Sequence, residues 1–133
     1  MLENPIRIIV KSLMTGSYRF LLIVNVFVKG KIMKLSEAML KGMKGTKKCK
    51  QTYFEGKTRC CAVGAICRTI GMKHNDDFNN VLMFENFPDL RDENVVHPVL
   101  KHSSWMFHVI TDLNDNHNWS RLKIVNWLKS IGK

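Results

Sequence analysis

Arg59-Cys60-Cys61-Ala62-Val63-Gly64-Ala65-Ile66-Cys67-Arg68-Thr69-Ile70-Gly71 is the stretch around which this 133-residue chain is organised. From Cys60 to Cys67 no charged or hydroxyl side chain occurs, and small residues dominate. The run is too short to span a membrane and reads as a helix buried on all sides. Ala62, Gly64 and Ala65 allow neighbouring elements to approach closely. Gly64 costs about 1 kcal/mol of helix propensity relative to Ala, which points to a position where a side chain has no room. Gly71 stands where a left-handed residue ends a helix.

Working outward, Gln51-Thr52-Tyr53-Phe54 has strand character, and Glu55-Gly56 is a turn signal before Lys57-Thr58-Arg59. A short hairpin near 49–60 therefore feeds the central helix, while Thr46–Lys50 reads as a basic loop. Upstream, Leu35, Ala38, Met39, Gly42 and Met43 share one helical face, with Ser36 as expected N-cap. Downstream, Asn75-Asp76-Asp77 opens a helix turning Phe78, Val81 and Leu82 inward, and Phe87-Pro88 ends it. Asp89–Val96 reads as an irregular connection. Ser103 or Ser104 then caps a helix with the stripe Trp105, Met106, Val109, Ile110 and Leu113, and 114–118 is a loop. Ser120 caps the last helix, whose Ile124, Trp127, Leu128 and Ile131 recur at helical spacing; Trp119 and Ile124 occupy hydrophobic-staple positions. The expected fold is α+β and mainly α: about four helices around a buried central one, plus a short β-hairpin.

Residues 1–32 differ in character. Asn4-Pro5 suits a helix start, and Ser17–Val28 a buried strand. Lys29-Gly30-Lys31 just before Met33 also suits a translated ribosome-binding site, so residues 1–32 are either a genuine N-terminal extension or upstream leader sequence, and 33–133 are expected to form the single globular domain. The run at 20–28 mimics a signal peptide but lacks a small-x-small cleavage site after it. With four cysteines and no such signal, a cytoplasmic protein without a membrane anchor is expected.

The formal charge of +10 is unevenly spread: +4 over residues 1–32, +8 over 33–73 and −2 over 74–133. Its densest part, Lys41, Lys44, Lys47, Lys48, Lys50, Lys57 and Arg59, is relieved only by Glu55 and interleaved with Tyr53 and Phe54. Clustered cations neutralise phosphates, and an adjacent aromatic can stack on a base. Nucleic acid, or an acidic host protein, is therefore the expected partner of Lys41, Lys44, Lys47, Lys48, Lys50, Tyr53, Lys57 and Arg59. The plainer alternative is a solvated charged surface. No small-molecule partner or cofactor is expected.

Three other chemistries weigh less. A metal site needs convergent ligands, and adjacent Cys60 and Cys61 with distant Cys49 and Cys67 lack knuckle spacing. The alternation Asp112-x-Asn114-x-Asn116-x-Asn118 mimics a calcium loop, yet His117 replaces the required Gly and Lys123 the terminal Glu. A thiol enzyme would use Cys60 or Cys61, activated at a helix N-terminus, with His108 or His117 and Asn114 or Asp115 completing the set. An interaction module without nucleic-acid contact is the remaining alternative.

Leu35-Ser36-Glu37-Ala38, Gly45-Thr46-Lys47, Cys61-Ala62-Val63-Gly64-Ala65 and Leu113-Asn114-Asp115…Trp119-Ser120…Ile124…Trp127-Leu128 together resemble a family of small proteins of tailed phages, prophages and related bacteria. The resemblance covers residues 33–133. It implies a phage-type source and a compact fold, and carries no activity.

Overall fold

The computed structural model describes residues 33–133; the helix, the strand and the leader reading expected within 1–32 lie outside the described residues. The described chain is α+β and mainly helical. It contains α1 (Leu35–Gly42), β1 (Lys47–Lys48), β2 (Phe54–Glu55), β3 (Arg59–Cys60), α2 (Ala62–Arg68), α3 (Asn80–Asn86), β4 (Val95–Val96), β5 (Ser103–Ser104), α4 (Met106–Asp115) and α5 (Arg121–Ser130). Two 3-10 turns, Asn75–Asp77 and Pro88–Arg91, flank α3.

The central helix is shorter than the motif predicts, because Arg59 and Cys60 complete a strand and Cys61 is the N-cap. Every residue from Cys60 to Cys67 is buried. Its small residues set how closely its neighbours approach: a Cβ on Gly64 would collide with the carbonyl of Tyr53, and one on Gly42 of α1 with the carbonyl of Ala65. Gly71 has φ +92°, and Met72 N–H returns to Cys67 O. α1, α4 and α5 complete the core with Leu35, Met39, Met106, Ile110, Leu113, Ile124 and Leu128.

The hairpin is part of a three-stranded sheet of order β1-β3-β2. Phe54 pairs antiparallel with Cys60, and Lys47–Lys48 runs parallel beside Arg59–Cys60. The expected loop at 46–50 thus contains a strand, because Lys47 N–H reaches Thr58 O and Cys49 N–H reaches Cys60 O. Asn75 uses its side-chain amide on both backbone groups of Phe54, accepting from N–H and donating to O.

Several helix boundaries move. Lys34, not Ser36, is the N-cap of α1; Ser36 is buried, and its hydroxyl donates to Lys133 O. Asn79 caps α3, which begins later than expected, and its inward residue is Met83 while Val81 is exposed. Val95–Val96 pairs with Ser103–Ser104, so those serines form a strand and Trp105 is the cap, exposed rather than in the stripe. α4 continues through Asn114 and Asp115. Asn114 is buried there, accepting from Ala62 N–H and donating to Cys49 O, and so ties α4 to the start of α2. Ser120 caps α5 as expected, accepting from Lys123 N–H; Ile131 is exposed beyond its end.

Candidate functional site

The predicted basic segment divides into two parts. Lys47 is the register partner of Arg59, so these exposed side chains stand beside each other on the parallel strands. Arg59 lies 3.6 Å from Glu55. Lys57 follows in the β2–β3 turn, and Lys41 and Lys44 are exposed at the end of α1. Lys48 instead turns to the α4–α5 connection, donating to Asn118 Oδ1 at 3.1 Å and Trp119 O at 2.8 Å. Burial, then the nearby Lys50, lowers its pKa. Tyr53 stacks face to face on Phe78 with centroids 3.9 Å apart, so one ring face is already occupied.

Beside Lys57 and Arg59 a partly enclosed cavity of about 210 Å³ opens, walled by Thr46, Arg68, Lys73 and His74 as well. Among the described residues no carboxylate is in its wall. Arg68 is fixed at one nitrogen by Gly42 O at 2.7 Å and Lys44 O at 3.3 Å. Asp77 holds the far wall by accepting from the backbone N–H groups of Lys73 and His74. Arg68 and Lys73 were missed by the sequence reading, which followed charge density along the chain. Behind Thr46 lies Arg121, only 8% exposed. Its guanidinium donates to Thr46 Oγ1 and O at 2.7 and 2.6 Å, and to Cys60 O and Sγ at 3.3 Å each. Among the described residues it has no carboxylate partner.

The thiols do not form an activated centre around Cys61. Gly64 N–H donates to Cys61 Sγ at 3.2 Å, as the N-terminal position suggests, but desolvation outweighs that bond and pushes the thiol up to about 12. Burial likewise pushes Cys67 up to about 12, and burial followed by Cys60 raises Cys49 to about 11. Cys60 is fully buried against Thr46 and Arg121. His108 is exposed on α4 and stacks on Trp105, and Asn114 is used up in structural bonds.

A second polar cluster joins Asp112 and His117, which the calcium-like pattern already draws together, to His97, 15 positions away and outside that pattern. His97 Nε2 lies 2.7 Å and His117 Nε2 3.1 Å from Asp112 Oδ2, and all three ligand-type atoms fall within 4.8 Å of one another. The geometry of His97 decides what this cluster is. Its Nδ1 accepts from the backbone N–H groups of Val99 and Leu100 at 3.1 and 3.0 Å. The ring proton is therefore on Nε2 and donates to Asp112. A metal ion on Nε2 would require an imidazolate or the loss of both amide bonds, the reverse of the usual arrangement in which the other ring nitrogen of a ligand donates outward. The Asn116 amide on Oδ1, then the His97 bond and the nearby His117, hold the Asp112 carboxyl below its ordinary value against the opposing effect of burial. The cluster is a satisfied hydrogen-bond hub that closes the 97–102 loop onto α4.

Among the described residues no helix is long and apolar enough to cross a membrane. Compared with known proteins, the chain matches no family profile, no curated protein and no solved structure.

Proposed function

We propose that this chain is a small phage-type accessory protein of the host cytoplasm that binds nucleic acid through the face bearing Lys41, Lys44, Lys47, Lys57, Arg59, Arg68 and Lys73. The observation that carries this reading is the gathering of Lys57, Arg59, Arg68 and Lys73, from three separate segments, around one cavity with no carboxylate in its wall among the described residues. Like charges drawn together at the surface repel one another, and a polyanion removes that repulsion while releasing its own counterions. Lys48, tied to Asn118 and Trp119, contributes to the local field rather than to direct contact.

Binding of generic single- and double-stranded DNA and RNA, followed by fluorescence anisotropy across a salt series, tests the reading. Affinity falls steeply with salt, and Lys47→Ala or Lys57→Ala each lowers the log–log slope by about 1. Absence of binding to every nucleic acid at low salt removes it and leaves an acidic protein as the partner to pursue.

A further inference from the structure

We infer that the cavity walled by Lys57, Arg59, Arg68, Lys73 and His74 is a phosphate pocket, and that it takes a phosphomonoester: the phosphorylated end of a nucleic-acid strand or a free mononucleotide. This deepens the nucleic-acid reading and rests on it for the source of the ligand.

Two independent observations converge. The first is the wall itself, lined by four cationic residues and a histidine around about 210 Å³; of these side chains only that of Arg59 has a carboxylate partner among the described residues, Glu55 at 3.6 Å. Arg68 is already oriented there, since Gly42 O and Lys44 O hold its Nη1 while no acceptor among the described residues holds Nη2. A guanidinium fixed in advance loses little freedom when it meets phosphate oxygens. The second is Arg121. A guanidinium 8% exposed and bonded to neutral groups is, among the described residues, a buried charge without a counterion. Such a charge is costly unless an opposite charge lies near, and the residue between Arg121 and the cavity is Thr46, which belongs to the wall. An anion seated there relieves the repulsion among the wall cations and compensates Arg121 from the other side of Thr46. A monoester carries close to two negative charges at neutral pH, against one for a diester, and so answers this excess better. A partly enclosed cavity also suits a chain end more than a strand passing through.

The test uses the full chain. Backbone amide NMR shifts are followed with inorganic phosphate and with a nucleoside monophosphate. Anisotropy then compares one short oligonucleotide bearing a 5′-phosphate or a 5′-hydroxyl. The expected result is movement of the Thr46, Gly56 and His74 amides by phosphate, and about tenfold tighter binding of the phosphorylated end. Lys57→Ala and Lys73→Ala, both at exposed positions, each remove most of that preference; Lys129→Ala on α5 leaves it intact. A mononucleotide that binds as tightly as the phosphorylated strand identifies the free nucleotide as source, and tighter binding of the strand identifies the chain end. Unmoved wall amides together with equal affinity for the two ends overturn the pocket, while salt-dependent binding of both ends would still sustain the nucleic-acid reading. Phosphate that moves the wall amides without any oligonucleotide binding sustains the pocket and overturns that reading.

Discussion

The cation cavity and the histidine–aspartate cluster are both polar and both assembled from distant segments, yet they are built on opposite principles. Around Asp112 the donors and acceptors are matched: His97 uses Nδ1 on two backbone amides and Nε2 on the carboxylate, which also accepts from Asn116 and His117. Around the cavity four cationic residues meet no wall carboxylate, and buried Arg121 behind it has no carboxylate partner, among the described residues. A polar cluster that satisfies itself holds a fold together, whereas one with a one-sided charge excess is open to a partner. Residue type alone would suggest the reverse, because His–Asp–His looks like chemistry and a lysine-rich face looks like solubility.

The frame that both regions share gives the largest expected effect. A Cβ at Gly42 meets the carbonyl of Ala65, so Gly42→Ala should cost about 4 kcal/mol or more, or abolish cooperative urea unfolding altogether. Next comes the histidine cluster. Asp112→Ala leaves the Nε2–H of His97, 2% exposed, without its acceptor and should cost about 2–4 kcal/mol, against under about 0.5 kcal/mol for Lys57→Ala. Equal costs would erase the distinction drawn between the two regions.

The same carboxylate fixes a pH dependence. Because its folded pKa lies below the ordinary 3.8, its contribution is present above the unfolded value and is lost as pH falls through the folded one. Asp112→Asn should therefore flatten part of the acid limb of the stability curve below about pH 4, measured by urea titrations at stepped pH. At the cavity, saturating phosphate should raise stability, by about 2.7 kcal/mol at a hundredfold excess over Kd. Lys57→Ala with Lys73→Ala removes that gain, and Asp112→Asn keeps it. A small effect is also expected at Cys61. Its Sγ accepts from Gly64 N–H as an N-cap, a role a serine hydroxyl fills, so Cys61→Ser should shift stability by less than about 1 kcal/mol.

The parts of the fold legible in sequence were those coded by local periodicity. The apolar run with Gly64 marked the central helix, and Ser120 with Ile124 and Leu128 marked α5. The parts missed depend on distant pairing: two-residue strands such as Lys47–Lys48 and Ser103–Ser104 have no period to read. Half of the site was legible, since Lys57 and Arg59 stand in the basic run, but Arg68 and Lys73 join them only through folding. Arg121 did leave a signal. It occupies the first position of the stripe continued by Ile124, Val125 and Leu128, all buried with it, and a charged residue on an apolar stripe marks a buried partner network. His97 left none, because its link to Asp112 spans 15 positions of unrelated pattern.

The amide of Asn75 has a consequence for how copies of this protein behave in solution. By occupying the backbone N–H and C=O of Phe54 as another strand would, it blocks the outer rim of β2, where a neighbouring molecule could otherwise add a strand of its own. A single side chain thus acts as a guard against edge-to-edge self-association while anchoring the loop that carries Lys73 and His74.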